Sequence, residues 1–325
     1  LREILAASFF IPVQDDIREV ESLMRSQAGA EHHPDLRAAL EHLLTAGGKR
    51  VRPTIVFLVG RMLNAPHDKL VTLGAAVEML HTATLVHDDL IDGSLLRRGI
   101  PTLNARWSPA ATVLTGDFLF GRAAKLSAET DYLPLMKLFA ETLTVIVNGE
   151  LTQMFAAKGV IDRRNYYNRI YAKTASLFEM SSLAAAMIGT EDPAQRSAMK
   201  TYGCETGMAF QIVDDILDFT GDQAAVGKPV GSDLLNGLVT LPAIDYAESH
   251  PDDPEVKLLA EGGWANQERM EKLVHSIQNS SAVRHAMDEA SEHVEKALAA
   301  LTVFPASLEK QALEDLAGYI VEREF

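Results

Sequence analysis

Cysteine is almost missing from the 325 residues: Cys204 stands alone, so no disulfide can close within the chain and no cysteine-based zinc site can form. Such usage fits a reducing cytoplasm. Proline is held to 13 positions, and nowhere do apolar residues alternate for long enough to build a sheet. No apolar run reaches the ~18 residues expected of a membrane span, and no basic segment followed by an apolar one opens the sequence. Positive charge is short as well, with 30 Lys and Arg against 45 Asp and Glu and a formal balance of −15. That balance disfavours nucleic acid and anionic bilayers as generic partners, so an anionic ligand must be met by a local basic cluster. No GxxxxGK[ST] loop is present, and a nucleotide is not indicated.

What the chain does contain is Leu, Ala, Val and Met, which dominate an apolar share of 47% and recur at three- and four-residue spacing. That pattern predicts an all-α protein. Helices are expected over about 15–28, 34–46, 51–64, 68–91, 109–129, 132–157, 163–189, 193–219, 240–250 and 253–262, with two or three more before the C-terminus. Breaks fall at Ala46-Gly47-Gly48, from Gly93 to Pro109 and from Thr220 to Gly237. With no long low-complexity linker, residues 1–325 are expected to form one helical domain.

One short motif occurs twice, as Asp88-Asp89-Leu90-Ile91-Asp92 and Asp214-Asp215-Ile216-Leu217-Asp218, each near the C-terminal end of an apolar-periodic helix. Residues four apart project from nearly the same helical face, so Asp88 sits beside Asp92 and Asp214 beside Asp218. Three acids in one turn repel one another and oppose the helix dipole, which calls for a compensating cation. Carboxylate-only donors suit a hard ion, and magnesium commonly combines one or two of them with phosphate oxygens and water. A single such motif reads equally well as a solvated acidic helix end; two copies, preceded by Leu85-Val86 and Ile212-Val213, argue for a site.

The opposite charge gathers at Gly47-Gly48-Lys49-Arg50-Val51-Arg52-Pro53, where a loop enters a helix. Free backbone N–H groups, the positive end of the helix dipole and three cations would together bind an anion. Arg97-Arg98 form a second basic pair in a loop just after the first acidic motif. Magnesium between carboxylates and phosphates, with several cations nearby, implies a substrate carrying more than one diphosphate. Diphosphate chemistry in an apolar helical protein describes ionisation of an allylic diphosphate.

The string EMLHTATLVHDDLIDGSLLRRG from Glu78 to Gly99, with GGKRVRP upstream and GMAFQIVDDILDF downstream, resembles the trans-isoprenyl diphosphate synthase, or polyprenyl synthetase, family. The likeness in motif order and spacing runs from about residue 40 to 245. It implies antiparallel helices packed around a deep central cavity, a homodimer, and 1′–4 condensation of isopentenyl diphosphate with an allylic diphosphate primer. By position, the resemblance assigns isopentenyl diphosphate to Lys49, Arg52, His81 and Arg98. It assigns magnesium, on the order of three ions per site with diphosphate bound, to Asp88, Asp92 and Asp214, supported by Asp89, Asp215 and Asp218. The allylic diphosphate falls to Arg97, Lys173, Thr174, Gln211 and Lys228. His81 reads otherwise as a satisfied core histidine. One position departs from the family pattern: Leu238 stands where a lysine usually precedes the Thr-Leu-Pro segment, which removes one cation from the leaving group.

These positions imply a mechanism in which magnesium and the basic groups stabilise departing diphosphate, isopentenyl diphosphate attacks through its terminal alkene, and the diphosphate takes the proton. The stretch Thr220–Gly237 would exclude water as a lid. Product length is expected to depend on Leu80, Ala83 and Thr84, which lie one to two turns before Asp88. The small Ala83 and Thr84 leave room for a product longer than geranylgeranyl, unless Met79, Phe118, Phe139, Met154 or Phe155 closes the tunnel. The alternatives are a farnesyl or geranylgeranyl synthase, a class I terpene cyclase, and a non-catalytic subunit of a heteromeric synthase. The intact DDILD and GGKRVRP segments argue against the last two.

Overall fold

The computed structural model describes residues 9–27, 29, 33–45, 48–97, 99–221 and 230–322. Helix dominates, as the periodicity predicts, and the only strands among the described residues are the pairs Leu96–Arg97 (β1) and Ile100–Pro101 (β2) of one antiparallel hairpin. The hairpin occupies the break after the first acidic motif, where the sequence offered no alternating pattern. Backbone contacts divide the chain into two units, the first comprising Leu1–Glu141, Met180–Lys200 and Val303–Asp315, the second Thr142–Glu179, Thr201–Thr302 and Leu316–Phe325.

The first unit contains α1 (Gln14–Ser26), α2 (Pro34–Thr45), α3 (Val51–Met62), α4 (His67–Ile91), the short α5 (Leu103–Arg106) and α6 (Pro109–Ala128). Its centre is α4, which packs chiefly on α6 and then on α3 and α1. From Leu73 to Leu80 every residue of α4 is buried, so that stretch has no solvent-exposed face. The helix is long and apolar enough by composition to cross a membrane, contrary to the expectation from apolar runs, but 67% of the relevant window is buried inside the protein. Gly116 of α6 makes the close approach possible: a side chain there would overlap the His87 imidazole. Ser108 caps α6, its hydroxyl accepting from the Ala111 amide.

The second unit holds α8 (Arg163–Ile170), α11 (Ser232–Leu235), α12 (Leu241–Ser249), α13 (Pro254–Ala260), α14 (Gln267–Gln278) and α15 (Ala282–Ala300). The division falls inside α7 (Leu133–Phe155), α9 (Ser176–Gly189), α10 (Pro193–Thr220) and α16 (Leu308–Glu322). Arg163 joins three elements of this unit through Glu289 at 2.5 Å, Glu248 at 2.8 Å and Asp245 at 3.5 Å. The helix expected over 163–189 is interrupted: Tyr171–Ala175 form a π-helical turn between α8 and α9. Such turns carry one extra residue and are enriched at functional sites.

Candidate functional site

In the first unit α4 ends within the first acidic motif. Gly93 (φ +63°) terminates it: the Gly93 amide donates to Leu90 O and the Ser94 amide to Asp89 O, a Schellman arrangement that only a residue at ease with positive φ closes cheaply. The three carboxylates meet different surroundings. Asp89 is buried, 7% exposed, while Asp88 is half-buried and Asp92 exposed. Arg97, carried back by the hairpin, donates through Nε to both Asp89 oxygens (2.9 and 3.1 Å) and through Nη2 at 2.9 Å. Arg97 therefore supplies a compensating cation to Asp89.

The basic cluster also divides. Arg50 lies at the entry to α3 with φ +48°, a left-handed conformation, and its guanidinium is buried between Glu78 (2.7 Å) and Glu21 (2.9 Å). Those two carboxylates raise its proton affinity against the effect of burial. This corrects the reading of Lys49, Arg50 and Arg52 as one anion-binding trio, because Arg50 spends its charge on the core; Lys49 and Arg52 remain half-buried on either side. His81, on α4, is half-buried too. Arg98, Ala46 and Gly47 lie outside the described residues.

Further back on α4, Leu80 and Ala83 have no accessible surface, whereas Thr84 keeps some and bonds its hydroxyl to His81 O at 2.8 Å. Of the suggested deeper gates, Met79 and Phe139 are buried. Met154 (53% exposed) and Phe155 (81%) face solvent within their unit, so they do not close an interior passage there.

In the second unit α10 carries the other motif. Asp215 is 5% exposed, and both of its oxygens are engaged: Oδ2 accepts from the Tyr166 hydroxyl and Oδ1 from Gln211 Nε2, each at 2.8 Å. Burial pushes its carboxyl up to about 7, aided by the charge of Asp233, with the bonds from Gln211 and Tyr166 and the charge of Arg169 working in the opposite direction. Gln211 Oε1 in turn accepts from the Thr174 hydroxyl at 2.6 Å. Asp214 is half-buried, and Asp218 caps α11, accepting from the Ser232 hydroxyl at 2.7 Å and the Asp233 amide at 3.1 Å.

The π-turn brings Lys173 and Thr174 to adjacent positions, and Lys173 pairs with Glu150 of α7 at 3.0 Å. Gly149 permits the approach, since a Cβ there would lie 2.5 Å from the Ala172 Cβ. Tyr166, Arg169 and Glu150 went unnoticed in the sequence, where an isolated Tyr, Arg or Glu on a helix gives no signal. Arg169 donates to Val239 O at 2.7 Å and stacks its guanidinium 5.4 Å from the Tyr166 ring centroid, while the half-buried Leu238 offers only its amide, to Asp233 O. Lys228 and eight of the eighteen residues of the expected lid, 222–229, lie outside the described residues.

Among the described residues no three or more His, Cys, Asp or Glu side chains converge as a complete metal cage. Carboxylate pairs suit a hard cation that draws the rest of its shell from ligand oxygens and water, so the donor set fits magnesium. The two longest helices among the described residues, α4 and α10, thus each end in an acidic segment whose middle acid is buried, and the class is an all-α protein with two such segments.

The chain belongs to the polyprenyl synthetase family, whose profile matches residues 33–277. It is 37% identical over 289 residues to the octaprenyl diphosphate synthase of Haemophilus influenzae, covering 87% of each chain. Its fold superimposes with a TM-score of 0.89 on a polyprenyl synthase from Caulobacter crescentus complexed with calcium and isoprenyl diphosphate, at 36% identity and 97% coverage of both chains. A decaprenyl diphosphate synthase from Rhodobacter capsulatus gives the same TM-score at 34% identity, covering 97% of this chain and 99% of that one. The all-α fold expected from composition is the isoprenoid synthase fold of these proteins.

Proposed function

We propose that this protein is a magnesium-dependent trans-polyprenyl diphosphate synthase that condenses isopentenyl diphosphate with an allylic diphosphate to give products longer than geranylgeranyl diphosphate. The observation that carries this reading is the arrangement of each acidic segment. In both, the second aspartate is buried and bonded to the protein, Asp89 to Arg97 and Asp215 to Tyr166 and Gln211, so the helix end is held rigidly. Asp88, Asp92 and Asp214 keep accessible surface and serve as the carboxylates toward metal. The octaprenyl and decaprenyl relatives support the product length.

Magnesium, when bound, supplies Lewis-acid stabilisation of the diphosphate leaving group. Lys173 presents an ammonium to the allylic diphosphate from the π-turn, with Thr174 and Gln211 beside it; Lys228 adds a second cation. The C1–O bond of the allylic substrate breaks, C4 of isopentenyl diphosphate bonds to C1, and a proton leaves C2 for the released diphosphate. Lys49, Arg52, His81 and Arg98 hold isopentenyl diphosphate. Arg97, already committed to Asp89, orients the first acidic segment and reaches the allylic diphosphate from there. A homodimer in a reducing cytoplasm completes the proposal. Val147, Leu151, Met154 and Phe155, all exposed along one face of α7, suit burial against a second copy.

Incorporation of radiolabelled isopentenyl diphosphate into geranyl or farnesyl diphosphate, with magnesium and with chelator, tests this directly. Wild type is expected to incorporate label only with magnesium. Asp88→Ala and Asp214→Ala should each lose roughly a thousandfold in turnover, since electrostatic stabilisation of a leaving group is among the largest catalytic contributions, without a loss of thermal stability. No incorporation with any primer, or variants as active as wild type, would sink the reading.

A further inference from the structure

Tyr166 ranks among the largest fully buried side chains of the chain. Its ring is held edge-on to Tyr167, with centroids 5.5 Å apart, and lies under the Arg169 guanidinium. The hydroxyl donates to Asp215 Oδ2 over 2.8 Å. From there the bonds continue without a gap: Asp215 Oδ1 accepts from Gln211 Nε2, and Gln211 Oε1 accepts from the Thr174 hydroxyl. Four side chains thus join three backbone segments of the second unit: α8, the acidic turn of α10, and the π-turn that bears Lys173 and Thr174.

A buried carboxylate with a side-chain donor on each oxygen has its rotamer fixed, and with it the orientation of the helical turn that displays Asp214 and Asp218. At the other end of the line the Thr174 hydroxyl donates to Gln211, which fixes the Thr174 rotamer and ties the π-turn carrying Lys173 to α10. A phenylalanine at 166 would fill the same space and leave Asp215 Oδ2 buried with one donor fewer. Resting on the prenyl-transfer reading above, we propose that Tyr166 is a positioning residue of this enzyme: through Asp215 and Gln211 it aligns the metal-carrying turn of α10 with the π-turn that receives the allylic diphosphate.

Tyr166→Phe separates positioning from general stability when it is compared with Tyr167→Phe, the neighbouring tyrosine whose hydroxyl donates to Glu289 instead. Loss of a residue that orients metal ligands typically weakens metal affinity by about ten- to a hundredfold. For Tyr166→Phe we therefore expect the KM for the allylic diphosphate and the magnesium half-saturation point each to rise about tenfold. The KM for isopentenyl diphosphate should stay within about twofold. Tyr167→Phe should leave all three unchanged. A second readout needs no turnover: the rise in melting temperature on adding magnesium with inorganic pyrophosphate should shrink in Tyr166→Phe and persist in Tyr167→Phe. If Tyr166→Phe fails to fold, Asp215→Asn, which keeps the side-chain shape, should show the same split. Parallel increases in both substrate KM values, an undiminished pyrophosphate shift, or equal losses in the Tyr167→Phe control would overturn the proposal. A wild type that binds magnesium pyrophosphate yet incorporates no isopentenyl diphosphate would refute the prenyl-transfer reading instead, and the pyrophosphate shift would still decide the role of Tyr166.

Discussion

Lys49, Arg50 and Arg52 stand within four positions of one another, yet the left-handed turn at Arg50 sends its guanidinium inward to Glu78 and Glu21. Its removal would leave Glu78, 4% exposed, without its closest cation. Stranding a buried charge costs about 3–5 kcal/mol, and alanine at φ +48° recovers nothing from the backbone, because its Cβ meets the same left-handed strain. Arg50→Ala should therefore lower the urea midpoint steeply. Lys49→Ala and Arg52→Ala should leave it nearly in place and chiefly raise the KM for isopentenyl diphosphate. Asp215 offers a test of a different kind. Its carboxyl, raised to about 7 in the folded chain against 3.8 as the ordinary value, binds a proton in the native state that the unfolded state has already released. The group's contribution to stability is full below about pH 4 and is lost as pH rises through about 7. In chelator, wild type should lose more stability between pH 5 and 8 than Asp215→Asn, read as the difference between their urea curves; parallel curves would contradict the assignment.

At the scale of elements, the π-turn at Tyr171–Ala175 matters most, because the added residue brings Lys173 to Glu150 and Thr174 to Gln211. Helix α7 approaches it at Gly149, where a Cβ would stand 2.5 Å from that of Ala172. Glycine-to-alanine changes in a helix ordinarily stabilise by roughly 0.5–1 kcal/mol. Here the obstacle is a Cβ attached directly to backbone, which has no rotamer to yield, and overpacking costs about 1–3 kcal/mol. The clash should win. Gly149→Ala is expected to lower the calorimetric melting temperature by a few degrees and to raise the KM for the allylic diphosphate as Lys173 shifts. A variant more stable than wild type would show that α7 can move away freely.

For the whole molecule the telling property is product length. Thr84 is the one residue of the suggested wall that keeps accessible surface, whereas Ala83 and Leu80 are enclosed by packing. A phenyl group at 83 would have to displace neighbours at a cost of about 1–3 kcal/mol, so shorter products from Ala83→Phe would be confounded with damage to the core. Thr84→Phe is the cleaner probe. Chromatography of dephosphorylated products should show wild type extending beyond geranylgeranyl and Thr84→Phe stopping earlier. An unchanged distribution in a folded Thr84→Phe enzyme would move the length determinant elsewhere.

Helix positions, both acidic segments at helix ends and the basic entry to α3 were legible in the sequence, because helical periodicity and the i, i+4 spacing of carboxylates are local properties of a chain. The short α5 and α11, the hairpin and the π-turn were not, since none has a period long enough to register; each depends on contacts such as Arg97 with Asp89 or Asp218 with Ser232. Tertiary structure alone decided which member of each charged cluster faces inward. Arg50 rather than Lys49, and Asp215 rather than Asp214, are buried because their partners Glu78 and Tyr166 lie 28 and 49 residues away, and a carboxylate or guanidinium enters the interior only where such a partner is already waiting.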